Sequence, residues 1–169
     1  MNAPVAPAFA LIDHHGRPVD ESSYRGRHVL VFFGFTHCRM VCPRALGRLT
    51  TALELLGRLA DLVQPLYVSL DPDRDTPEVL RTFLGKRAPI FTGLTGSTDQ
   101  VEEAKAAFGV FSRRRADPDD PEGYDVPHTA LTYVLDPAGR YVTHLGEALE
   151  APQISERLRP LLDTAGRPA

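Results

Sequence analysis

His28-Val29-Leu30-Val31-Phe32-Phe33 runs directly into Gly34-Phe35-Thr36-His37-Cys38-Arg39-Met40-Val41-Cys42-Pro43, and the reading of this stretch decides the fold. Past its first residue the opening run is wholly apolar and rich in β-branched and aromatic side chains. Such a run suits a central strand covered on both faces. Residues 34–41 leave the strand, and a helix is predicted over about 43–62. Its buried stripe is Leu46, Leu49, Leu53, Leu56 and Leu59, which recur at helical spacing. Both cysteines therefore fall where a buried strand ends and a helix begins.

Working outward, residues 65–70 predict a second apolar strand, ending in the turn Asp71-Pro72-Asp73. Thr76-Pro77-Glu78 marks a helix start, with Thr as cap, Pro at the first helical position and the acid at the positive end. A short strand over 90–92 and a helix over 99–108 follow. Residues 112–127 are polar, Pro-rich and charged, and loops of this length inside compact domains are usually functional or mobile. Strands over 130–135 and 140–145 are joined as a hairpin by Asp136-Pro137-Ala138-Gly139, and a last helix spans 152–162. Residues 1–8 read as an extended lead-in, 166–169 as a frayed tail, and 9–165 as a single domain. Right-handed crossovers place the first two long strands parallel, and the closing hairpin adds antiparallel ones. The expected fold is α/β, a thioredoxin-like three-layer sandwich with a central mixed sheet flanked by helices.

The chain has 169 residues, 43% hydrophobic and 24% charged, enough to bury a core without disulfide staples. Its net charge of −3 and scattered basic residues exclude nucleic acid as the main partner. Arg113-Arg114-Arg115 is answered by Asp117, Asp119 and Asp120, which reads as a solvated loop. No apolar segment approaches the roughly 20 residues of a bilayer-spanning helix. The opening, Met1 to Pro7, lacks both a basic region and an apolar signal core. The chain reads as soluble and monomeric, with a membrane tether upstream of it compatible with this reading.

Cys38 and Cys42 sit where open α/β sheets place ligands. Helix-terminal N–H groups, the helix dipole and Arg39 all favour a thiolate there. Residues four apart on a helix lie on one face with Cα atoms about 6 Å apart, so both a disulfide and shared ligation of a soft metal fit the spacing. A merely structural bridge would stabilise little across so short a loop. A third ligand is sought among six histidines. His128 stands out because it follows the long polar loop and precedes the hairpin; a satisfied core imidazole is its competing role. His37 is the rival beside Cys38. His14, His15 and His28 read as turn or strand-edge surface residues, and His144 as structural. Two thiolates and an imidazole suit copper, as Cu(I) or Cu(II). Structural zinc wants a fourth protein ligand, and iron–sulfur clusters want more cysteines.

The sequence resembles the Sco/SenC family, copper chaperones of cytochrome c oxidase assembly. The resemblance rests on Phe33-Gly34-Phe35-Thr36-His37-Cys38 through Val41-Cys42-Pro43, and on Ser69-Leu70-Asp71-Pro72-Asp73-Arg74-Asp75-Thr76-Pro77. Thr92-Gly93-Leu94-Thr95-Gly96, and His128 with Thr132-Tyr133-Val134-Leu135-Asp136, complete it. The resemblance implies a thioredoxin-like domain, tethered to a membrane and facing the periplasm or intermembrane space, with copper held by Cys38, Cys42 and His128. The chain departs from the family in carrying Arg39 and Met40 where Pro and Asp are common. Met40 is a soft thioether and a minor candidate for the copper shell, since on a regular helix residue i+2 points away from Cys38. Asp71, Asp73, Arg74 and Asp75 read as turn and cap residues first, with an electrostatic role at the site mouth as a second reading for Asp71.

Three functions compete at this stage. The first is a metallochaperone delivering copper to the copper-site subunit of cytochrome oxidase or to another copper or thiol protein. The second is a thiol–disulfide oxidoreductase in which Cys38 attacks and Cys42 resolves, keeping partner cysteines reduced. The third is a copper or redox sensor signalling through residues 112–127. Peroxidase chemistry is disfavoured, because Phe35-Thr36-His37-Cys38 matches poorly the Pro/Thr approach of peroxidatic cysteines.

Overall fold

The computed structural model describes residues 6–38, 41–119, 123–128 and 130–165. Nine strands are defined among them: β1 (Ala10–Asp13), β2 (Pro18–Asp20), β3 (His28–Gly34), β4 (Val63–Ser69), β5 (Thr92–Thr95), β6 (Arg115–Ala116), β7 (Tyr124–Asp125), β8 (Leu131–Leu135) and β9 (Tyr141–Gly146). Four helices accompany them: α1 (Val41–Leu56), α2 (Pro77–Arg87), α3 (Thr98–Phe108) and α4 (Ala151–Ala165). Seven strands form one sheet in the order β2-β1-β5-β4-β3-β8-β9. In it β3, β4 and β5 run parallel, while β1, β8 and β9 are antiparallel to their neighbours. The fold is the expected α/β sandwich of thioredoxin-like type.

Alternation along β3 explains the layers. Leu30 and Phe32 face a core built with Leu46, Leu49 and Leu53 of α1, Leu80 and Leu84 of α2, and Ile154 and Leu158 of α4. Val31 and Phe33 face a second core with Phe9, Leu11, Val101 and Phe108. A strand buried on both faces needs a continuous apolar run, and every residue from His28 to Gly34 is buried. His28 is therefore not a surface residue as its sequence position suggested: it is 7% exposed, and burial holds its imidazole below the ordinary value.

Several boundaries differ from expectation for identifiable reasons. The first long helix stops at Leu56, because Gly57 turns left-handed at φ 59° and residues Gly57–Leu62 tighten into a 3₁₀ helix. The third strand of the parallel set is Thr92–Thr95, not 90–92: a turn from Ala88 carries Phe91 into the core and leaves Ile90 exposed. The β1–β2 hairpin went unread, since its strands span only Ala10–Asp13 and Pro18–Asp20. Thr76 caps α2, accepting the Val79 N–H at 3.2 Å. Within the described part of residues 112–127, β6 and β7 pair, while Arg113, Arg114 and Arg115 stay exposed as a solvated segment would.

Candidate metal and thiol site

Cys38 lies at the end of a tight turn off β3, where its N–H donates to the Phe35 carbonyl at 3.1 Å. Cys42 is the second residue of α1 and is fully buried; Cys38 is partly buried and packs against both cores. The Cys42 N–H points at the Cys38 sulfur, 3.5 Å away, so a first-turn amide with no intrahelical partner serves the more exposed sulfur. No disulfide joins the two cysteines. The hydrogen bond between the two sulfurs, and after it burial, push the Cys42 thiol well above the usual range. Cys42 therefore keeps its proton while Cys38 takes the amide and the accessible position.

Gly34 makes this approach sterically possible. A Cβ at this position would stand 2.7 Å from the Cys42 sulfur and 2.9 Å from the Tyr67 hydroxyl. The sulfur and the phenol thus converge on the same point beneath the glycine. The Tyr67 hydroxyl has no nitrogen or oxygen partner among the described residues. Burial first, and then the neighbouring Cys42 and Asp75, keep it protonated. Sequence reasoning missed Tyr67; its signal was a phenol hydroxyl in a mostly apolar strand, in register with Phe32.

His128 comes from the other side. It forms an isolated antiparallel bridge with Ser112, and its ring stands edge-on to Phe35 with centroids 5.7 Å apart. Its Nδ1 lies 3.0 Å from the Val126 carbonyl, which can only accept. Nδ1 therefore carries the proton and Nε2 the lone pair, the arrangement seen in metal-binding histidines. Nε2 is buried and has no hydrogen-bond partner among the described residues. The ring also lines an open pocket of about 480 Å³ with Phe111, Ser112, Arg113 and Pro127. Among the described residues no three His, Cys, Asp or Glu side chains are gathered closely enough to hold a metal; Cys38 and His128 are linked through Phe35, whose carbonyl takes the Cys38 N–H and whose ring meets the imidazole.

The remaining candidates have other partners. His37 lies 3.4 Å from the Thr36 hydroxyl through Nδ1. His14 is engaged rather than idle at a turn: its Nδ1 accepts the Gly93 N–H at 2.9 Å and its Nε2 lies 3.1 Å from that of His15. His144 is exposed beside the Tyr141 hydroxyl at 2.6 Å. Met40 and Arg39 fall outside the described residues. Asp71 and Asp75 are both completely buried, which turn and cap roles do not explain. Asp75 accepts from the Thr36 N–H at 3.1 Å, the Thr36 hydroxyl at 2.5 Å and the Ser69 hydroxyl at 2.6 Å. Burial holds its carboxyl above the ordinary value against these three donors. Arg114 pairs with Asp73, 41 positions before it in the chain.

Among the described residues no helix is long and apolar enough to cross a membrane.

Comparison with known proteins identifies the family. A SCO2-like protein of Rickettsia typhi is 34% identical over 158 residues, covering 94% of this chain and 78% of the relative. Bradyrhizobium japonicum ScoI, solved with copper bound, superposes with a TM-score of 0.83 at 31% identity, covering 92% of this chain and 98% of that one. Apo Sco1 of Thermus thermophilus superposes with a TM-score of 0.82 at 38% identity, covering 95% and 94%. The family model described as SCO1/SenC matches residues 1–163. With the cysteine turn, the buried aspartates and the loop-borne histidine all lying within that match, the chain belongs to the SCO1/SenC family.

Proposed function

We propose that this chain binds one copper ion through Cys38, Cys42 and His128 and passes it to the copper site of cytochrome c oxidase. The observation that carries the reading is the His128 ring, whose Nδ1 proton is committed to Val126 while Nε2 stays buried and without a partner among the described residues. A buried, unpaired acceptor costs free energy that a ligand would recover. Soft thiolates select Cu(I), and imidazole accepts either oxidation state, so the donor set suits copper as cargo. A ligand borne on a connecting segment, not on a helix or central strand, suits a carrier that must also release. The family's periplasmic setting and upstream tether belong to the same reading. Anaerobic titration of the reduced protein should bind one equivalent of copper with two sulfur scatterers in X-ray absorption. His128→Ala should lose stoichiometric retention; a variant that keeps it would overturn the third ligand.

The sulfur geometry favours a second reading, thiol–disulfide exchange. Cys38 is the more accessible sulfur and is fed by the Cys42 N–H, while Cys42 is buried with its proton. The Cys38 thiolate attacks a partner disulfide, forming a mixed disulfide and expelling one partner thiolate. Cys42, giving up its proton, then attacks the Cys38 sulfur and expels the second. The partner gains two electrons and the chain is left with a Cys38–Cys42 disulfide. This chemistry needs no His128, so His128→Ala should spare disulfide reduction while losing copper.

A further inference from the structure

One turn, residues 71–75, holds both arms of the site. Asp75 takes the N–H and hydroxyl of Thr36, two residues ahead of Cys38. Asp71 and Arg74 take the histidine arm through Tyr124. The Tyr124 hydroxyl donates to Asp71 Oδ1 at 2.7 Å. The Arg74 guanidinium lies over the Tyr124 ring at 3.7 Å and donates to the Tyr124 carbonyl at 3.3 Å. Arg114 reaches the same ring at 4.7 Å and pairs with Asp73. Asp71 and Arg74 form an ion pair whose side chains are 0% and 7% exposed. Turn and cap preferences account for polar residues here but not for burying a charge pair, which is costly to assemble.

From Tyr124 the chain runs two residues to Val126, which is 2% exposed in the core and whose carbonyl orients the His128 ring. The ring's reach is thus fixed by two anchors, one apolar and one charged. We propose that Asp71, Arg74 and Tyr124 are positioning residues for His128, and that this clamp limits the rate at which bound copper leaves. The inference rests on the copper reading above. Holding the arm in place removes the ordering cost that each capture would otherwise incur, so a loosened clamp releases faster.

The test loads the reduced chain with one equivalent of Cu(I) without oxygen and times its release to excess bicinchoninate. Tyr124→Phe removes only the hydroxyl facing Asp71 and is expected to speed release about tenfold, the equivalent of one hydrogen bond to a charged group. Arg114→Gln, whose parent side chain is 51% exposed, should act in the same direction by a smaller factor. The Cys38/Cys42 dithiol–disulfide equilibrium against glutathione should be unchanged in both, because the cysteine arm hangs from Asp75, which neither variant touches. Release from Tyr124→Phe at the parent rate or slower overturns the proposal. A thiol equilibrium displaced together with release overturns it too, since that marks a change in the fold at large. His128→Ala separates the two readings: if it holds copper as tightly as the parent, the ligand assignment is what fails, whatever Tyr124→Phe does.

Discussion

The cysteine arm and the histidine arm approach the same end of the sheet, yet different forces hold them there. Cys42 is fixed by a helix whose apolar stripe packs on β3, and Cys38 by the turn between them. Among the described residues the histidine arm has only the two-residue strands β6 and β7 and an isolated bridge, and it depends on a buried ion pair, an aromatic ring and Val126. The first arm is apolar and regular, so its geometry follows from burying area. The second is polar and irregular, so its geometry follows from satisfying charges. A carrier of the proposed kind would benefit from that division: the sulfurs stay at a set spacing while His128 rides on the part more readily perturbed.

The sharpest way to break the contrast is Arg74→Ala. It leaves fully buried Asp71 with only the half-exposed Arg114 guanidinium in ion-pair range, at 3.8 Å, and removing one partner of a buried pair costs about 3–5 kcal/mol. Urea unfolding monitored by circular dichroism should show a loss of that size, with copper release faster than in Tyr124→Phe. A cost below about 1 kcal/mol, as for surface ion pairs, would mean that charge does not hold the histidine arm.

The matching blow to the cysteine arm is Gly34→Ala. The added methyl would stand 2.7 Å from the Cys42 sulfur, so the sulfur or Tyr67 must move. Overpacking of this kind costs about 1–3 kcal/mol, less than stranding Asp71, because apolar contacts can partly relax. The diagnostic readout is the copper X-ray absorption spectrum: a changed sulfur shell is expected in Gly34→Ala and not in Tyr124→Phe. An unchanged sulfur shell would mean that Cys42 does not need the glycine.

This difference also explains what the sequence disclosed. The strand His28–Gly34, the leucine stripe of α1 and the Thr76 cap were legible because each is written in local periodicity or a capping residue. The fold and the cysteine junction follow from them. His128 was picked out for its place after a long loop, but its ring partner Phe35 was not, since nothing local brings the two together. Asp71, Arg74 and Asp75 looked like turn residues because their burial depends on Tyr124 and Thr36, 53 and 39 positions away in the chain. Tyr67 was hidden inside a mostly apolar strand. Local pattern encodes the sheet and the sulfurs; the polar links between the arms are long-range pairings that single-sequence periodicity does not carry.

The smallest effect separates the two aspartates themselves. Asp71 faces a guanidinium, whereas the partners of Asp75 are hydroxyls and an amide, so burial lifts the Asp75 carboxyl above its ordinary 3.8. For an acid whose folded value is raised, the native state binds more protons than the unfolded chain between the two values. The stability it contributes is therefore fully present below the unfolded value and is lost as pH rises through the folded one. Asp75→Asn has no such titration. Its amide oxygen keeps an acceptor for the Thr36 N–H, and its NH₂ faces the Thr36 hydroxyl, whose oxygen can accept. Melting temperatures of parent and Asp75→Asn from mildly acidic to neutral pH should show the parent losing ground to the variant as pH rises, with the sulfur spacing unaltered. A difference that stays constant across that range would mean that the Asp75 carboxyl is not raised, and that hydroxyl donors stabilise a buried carboxylate on the cysteine arm as well as Arg74 does on the other.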